Sequence, residues 1–189
     1  MLKPPGSKIV ESPTKDRFFQ RLIFWVPLAF TSVLVFGGLS EGFLNLRWAN
    51  ALVGGLAEAL PSIEKWAQRS YFPPVTKLIF SLAWLFSVFY GVLIARWGPY
   101  RRAFLRSLVN RRRHMAVLPV ATMIGVGMSC LTVAFPEEPD CTRKCLYESP
   151  LIQVLYSSAG SAFLGYGLAM LYWWLRHFSR IHFDRPAGN

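Results

Sequence analysis

Four runs of this chain contain no Asp, Glu, Lys, Arg or His: residues 22–40, 78–95, 115–135 and 151–175, of 19, 18, 21 and 25 residues. Charged residues make up only 16% of the whole, against 53% hydrophobic ones. That shortage argues against a soluble domain, which would have to hide four helices apolar on every face. A helix of about 20 apolar residues crosses a hydrocarbon layer of roughly 30 Å. The composition predicts an all-α integral membrane protein whose four transmembrane helices form an antiparallel bundle.

The same absence bears on chemistry. Membrane enzymes and ion-coupled carriers place ionisable groups inside their spans. These spans offer only hydroxyls, such as Thr31, Ser32, Ser81, Thr122, Thr132, Ser157 and Ser158, together with Gln153. There is no His-Glu-x-x-His, no aspartate pair within a span and no glycine-rich phosphate loop. Catalysis, a cofactor and ion coupling are therefore not expected; a hydroxyl-lined path for water or small neutral solutes stays open.

Cysteine and histidine are scarce, at three each. Cys141 and Cys145 fall in one short connection, 136–150, and their spacing permits a local disulfide in an oxidising compartment. His114, His177 and His182 lie beyond the other ends of the spans, so a mixed Cys/His metal site is not expected. Cys130, inside the third span, reads as a small packing residue.

Charge is present, but in clumps. Residues 96–114 hold Arg96, Arg101, Arg102, Arg106, Arg111, Arg112 and Arg113 and no acid. The basic segment 1–21 carries +3, the first connection 41–77 +1, the arginine loop +7, the connection 136–150 −2 and the tail 176–189 +2. Basic and near-neutral segments alternate, and the positive-inside rule puts both termini and the arginine loop on the cytoplasmic side. Such a layout suits a bacterial inner membrane or an organellar membrane of bacterial origin. The first span's apolar run exceeds that of a signal peptide and reads as a retained span. Topology alone accounts for the arginines. Segment 100–110 nevertheless sets Phe104, Leu105, Leu108 and Val109 on one helical face with Arg101, Arg102 and Arg106 at its edges, the pattern of a helix lying on anionic lipid or on a partner. Nucleic acid is the least supported partner, since no binding motif accompanies Trp97, Tyr100 and Phe104.

Small residues recur at every fourth position in three spans: Ala83, Ser87, Gly91 and Ala95; Ala121, Gly125 and Ser129; Ser157, Ser161, Gly165 and Ala169. Such faces let helices approach closely in lipid, and they are expected to meet one another. A ligand groove lined by Ser157, Ser158 and Ser161 is the alternative. Pro27 and Pro119 are possible hinges in the cytoplasmic halves of their spans. Trp25, Trp97, Tyr100, Tyr172, Trp173 and Trp174 suit one interfacial belt and Tyr71, Phe72 and Tyr147 the other. Trp84 and Tyr166 lie deeper, as bundle fillers or ligand contacts. The connection 41–77 is too long to be structureless. It predicts amphipathic helices, with Phe43, Leu46, Val53, Ala57 and Leu60 near one face, Pro61 as a stop and Ser62 as cap of a second helix through Trp66.

Two functional classes follow. One is an accessory or scaffold subunit of a larger membrane complex, touching membrane lipids and docking on other membrane subunits through its small-residue faces and outer helices. The other is a stand-alone binder of a hydrophobic or intruding molecule. In span count, cytoplasmic termini and loop character the chain is similar to immunity proteins against pore-forming bacteriocins and to small membrane proteins of conjugative elements; that likeness implies an immunity or exclusion role. A cysteine placed at Asn110 is expected to react with an impermeant thiol reagent only after the membrane is opened, and labelling of intact cells would reverse the orientation.

Overall fold

A computed structural model describes residues 21, 25–38, 45–97, 101, 104, 117–132 and 147–176. Among these every element is helical. Helix α1 spans Trp25–Phe36, and its end widens into a π-helical turn over Leu34–Gly38. The others are α2 (Arg47–Ala59), α3 (Pro61–Arg69), α4 (Pro73–Ala95), α5 (Val117–Thr132) and α6 (Pro150–Arg176). Two of them, α4 and α6, are long and apolar enough to cross a membrane, while α1 and α5 are apolar but shorter.

Proline punctuates this order. Pro61, Pro73 and Pro150 each begin a helix, where the missing N–H would have had no partner and the fixed φ is already helical. Pro61 thus ends α2 and opens α3, and Ser62, expected as a cap, sits inside α3 instead. At α6 the residue before proline does cap: Ser149 takes the backbone N–H of Gln153 on its carbonyl at 3.1 Å and that of Ile152 on its hydroxyl at 3.5 Å. Helix α4 begins at Pro73, earlier than the charge pattern suggests, and Lys77 within it pairs with Glu64 of α3 at 2.7 Å. Both side chains are over a third exposed or close to it, so the pair contributes less than about 1 kcal/mol.

Helix α6 runs down the middle. Its contacts with α4 extend from Gln153 beside Thr76 at one end to Trp173 beside Ala95 at the other, so the two run parallel. Helix α5 lies on another face of α6 and runs the opposite way: Ile124 meets Gly167, Gly127 meets Leu164 and Cys130 meets Gly160. Helix α1 packs on α4 through Phe30, whose ring stacks on Phe86 at 3.9 Å and 4°.

The core divides along the bundle. Around the start of α4, Leu34, Ile63, Trp66, Phe80 and Val154 cluster; around its end, Phe86, Ile94, Met170 and Trp173 do. Ile63, Trp66 and Ala67 are the buried face of α3, and the Trp66 ring stacks on Phe80 at 4.6 Å. The amphipathic helix α3 is therefore docked across the bundle. Of the aromatics assigned to interfacial belts, Trp25, Tyr71, Phe72 and Tyr172 are exposed, whereas Trp97, Tyr147 and Trp173 are buried. Trp173 turns inward because its Nε1–H donates to the Ala95 carbonyl at 3.0 Å, one of the acceptors a helix end leaves unpaired.

Near the start of α4 and α6 sits a closed polar ring. Gln153, Thr76 and Ser70 are all buried. The Gln153 amide donates to Ser70 Oγ at 3.0 Å, and Thr76 Oγ1–H donates to Gln153 Oε1 at 2.7 Å. Ser70 and Thr76 hydroxyls stand 2.7 Å apart. Thr76 has one proton and Gln153 Oε1 only accepts, so Ser70 gives its proton to Thr76 and the circuit closes. The second Ser70 lone pair takes the Phe72 N–H at 3.1 Å. Thr76→Val keeps the shape and strands Gln153 Oε1, and is expected to destabilise by about 1–2 kcal/mol. Thermal unfolding in mild detergent reads this. Thr76→Ser should stay near the parent, and a Val variant with an unshifted midpoint would show that the ring contributes nothing.

Candidate functional site

The small-residue faces come together only in part. Ala83, Ser87 and Gly91 on α4 and Ser157, Ser161, Gly165 and Ala169 on α6 are buried, with Ala95 half-buried. At their centre the backbones touch: a Cβ on Gly165 would lie 2.6 Å from the Ser87 carbonyl oxygen, and one on Gly91 3.0 Å from the Gly165 oxygen. Only glycine permits that approach.

The third set behaves differently. Ala121, Gly125 and Ser129 are exposed, and nothing lies within 4 Å of where a Gly125 Cβ would be. The contact with α6 is made instead by Gly127, whose Cβ would meet the Leu164 backbone at 2.5 Å, with Ile124 and Cys130 against Gly167 and Gly160. At 100° per residue, Gly127 is on nearly the opposite side of the helix from Gly125. The buried face follows Val120, Gly127 and Leu131, with Ile124 half-buried between them. This alternating four-and-three spacing, and the seven-residue separation of Gly160 from Gly167, are signals in the sequence that a search for four-residue repeats passes over.

The hydroxyls are spoken for locally. Thr31, Ser32, Thr122 and Thr132 donate to the carbonyl four residues back, and Ser87, Ser157 and Ser161 to the one three back. Ser81 and Ser158 find no partner among the described residues. The hydroxyls that do bond are turned onto their own helices. Among the described residues no three His, Cys, Asp or Glu side chains are grouped to hold a metal.

Among the described residues, a hollow lies where α4 and α6 end together. It is a groove of about 550 Å³ with Gly91 and Ala95 at its floor, Val88, Val92 and Leu168 along its walls, and Arg96, Arg101, Tyr172 and Arg176 around its mouth. Arg176 donates to the Tyr172 hydroxyl at 2.9 Å. The chain beyond α4 turns back over this end, since Phe104 packs on Trp173 with ring centroids 5.8 Å apart. The described carboxylates, Glu58, Glu64 and Glu148, belong to α2, α3 and the residues just before α6, at the opposite end. A shallower apolar hollow of about 250 Å³ includes Tyr90, Met123, Phe163 and Tyr166.

Two of the seven loop arginines, Arg96 and Arg101, thus reach the groove, joined by Arg176, which charge counting along the loop did not single out. Arg102, Arg106, Arg111, Arg112 and Arg113 lie outside the described residues, as do Cys141 and Cys145. Cys130 is a free thiol. Pro119 is the third described residue of α5. Pro27 lies inside α1, its carbonyl accepting from Thr31 at 2.9 Å.

Comparison with protein-family models, with curated proteins and with solved structures finds no match. Gly165→Leu is expected to lose more folded protein than Leu164→Ala, because the new side chain drives into the Ser87 backbone while the truncation only empties space. Fluorescence-detected size exclusion of the two variants decides this, and equal yields would mean that α4 and α6 do not approach so closely.

Proposed function

We propose that this chain is a non-catalytic, four-span membrane protein with cytoplasmic termini, an accessory subunit that receives a neighbouring subunit's transmembrane helix on α5. Several features support a lipid environment. Large apolar side chains stand exposed along the helices, among them Phe36, Val88, Phe89, Leu118 and Leu155, more than a soluble surface carries. Helices α4 and α6 have spanning length, and α1 and α5 fall inside two further uncharged runs.

The observation that carries the subunit reading is the open face of α5. A glycine inside a helix costs up to about 1 kcal/mol relative to alanine, and among the described residues nothing comes within 4 Å of where a Gly125 Cβ would be. Ala121 and Ser129 flank it on the same exposed face. A small-xxx-small stripe of this kind admits a second helix at backbone distance. The occupant we assign is a single apolar helix from a different membrane protein, since the spans hold no charge with which to specify a polar partner. The docked α3 then closes one end of the bundle against that neighbour. A second reading, a stand-alone binder of a hydrophobic molecule, is favoured by the arginine-rimmed groove.

Gentle detergent extraction followed by native mass spectrometry tests the first reading. A hetero-complex of fixed stoichiometry is expected, and Gly125→Leu should dissociate it by tenfold or more (about 1.4 kcal/mol) without moving the thermal midpoint of the isolated chain. A monomer or a homo-oligomer in the parent, or a complex indifferent to Gly125→Leu, would overturn it. Loss of resistance to a pore-forming toxin on deletion would point to the immunity role.

A further inference from the structure

We infer that the groove between the ends of α4 and α6 binds one anionic phospholipid, with the phosphate at Arg96, Arg101 and Arg176 and an acyl chain laid over Gly91. The inference rests on the membrane reading and is independent of what docks on α5.

Three observations meet at this place. The first is charge. Arginines from the end of α4, from the segment after it and from the last turn of α6 converge on one mouth, and every described carboxylate is at the other end. The partial negative charges of two helix C-termini favour cations there. They account for Arg96 and Arg176 singly, but not for three arginines lining one hollow with no described carboxylate among the lining residues. The second is the hollow itself. Below the arginines the walls are Val88, Val92 and Leu168, and about 550 Å³ of space falls in the ordinary range for a bound small molecule, about 300–1,000 Å³. The third is orientation. Tyr172 accepts a hydrogen bond from Arg176 Nη1, which fixes one edge of that guanidinium and leaves its other N–H groups to form a fork for a phosphate.

These conditions select a ligand class. A free phosphate would use the arginines and leave the apolar hollow empty. An uncharged lipid would fill the hollow and leave the arginines facing one another. A phosphodiester carrying acyl chains satisfies both. The positive-inside assignment puts this end at the cytoplasmic leaflet, where anionic lipid is found. The groove exists because Gly91 and Gly165 hold the two helices together just below it, while Ala95 and Ala169 are too small to fill the space above.

The full-length protein in mild detergent, given equimolar phosphatidylglycerol and phosphatidylcholine, reads this out by native mass spectrometry. Phosphatidylglycerol should be retained in preference, and Arg96→Gln, Arg101→Gln and Arg176→Gln should each reduce that preference by about fivefold. Val92→Trp, on an exposed position, should fill the groove and abolish retention of either lipid while leaving the fold intact. Gly125→Leu should leave lipid retention unchanged, so that failure of the docking reading is separable from failure of this one. Equal retention of the two lipids, arginine variants without effect, or displacement of the preference by millimolar inorganic phosphate with Val92→Trp silent would overturn the proposal.

Discussion

Two backbones meet at Gly91 and Gly165, and most of what is specific about this molecule depends on that contact. Parallel helices joined only by interdigitating leucines would slide and rotate with little penalty in a medium as apolar as their side chains. Here the Ser87 carbonyl and the Gly91 amide lie where any Cβ on Gly165 would have to be, so rotation of either helix produces a clash. Hydrogen bonds between the two helices then mark the register at both ends. Thr76 meets Gln153 at one end, and the Ala95 carbonyl meets Trp173 at the other. Such pairs are worth only about 0.6 kcal/mol each on average in membrane proteins. Their value is in selecting one arrangement among many of similar energy.

Parallel packing of α4 and α6 also decides where chemistry is absent and where recognition is located. Most of the described hydroxyls bond to their own helices, and the described core is mainly apolar. The arginines, by contrast, are carried by the ends of helices that must finish side by side. A short step from glycine and alanine to arginine and tyrosine changes the local demand from close packing to solvation of charge. The hollow lies at that step. Arg176 could not have been grouped with Arg96 and Arg101 without knowing that α6 is the neighbour of α4 and runs in the same direction.

Helix α5 shows how a rule of spacing and the geometry of a particular pair part company. The stripe of Ala121, Gly125 and Ser129 satisfies the small-residue pattern, yet α6 presents Gly160 and Gly167, seven residues apart, to this helix. The face of α5 that fits them is the one carrying Ile124, Gly127 and Cys130, which are bulkier on average but complementary in shape. Complementarity won over regularity, and the regular stripe of Ala121, Gly125 and Ser129 faces outward. The same holds for Trp97 and Trp173, which carry the chemistry of an interface but bury their rings. For Trp173 the Ala95 carbonyl supplies an acceptor at the buried end of its ring, and both rings pack among apolar side chains.

Charge and hydropathy along the chain were enough to read the helical character of the described residues, the uncharged character of the four runs, and the presence of helical segments between the first and second. Those properties are local, set by what each stretch excludes from its own surface. The proline-marked starts at Pro61, Pro73 and Pro150 belong with them, because proline acts on its own φ and its own missing donor. Which face of each helix is buried was legible on α4 and α6 and not on α5, since a face is chosen by the partner. The polar ring of Ser70, Thr76 and Gln153 and the gathering of Arg96, Arg101 and Arg176 required the tertiary structure. Gln153 and Arg176 lie about 80 residues along the chain from their partners, and only the packing of α6 against α4 sets the distances between them.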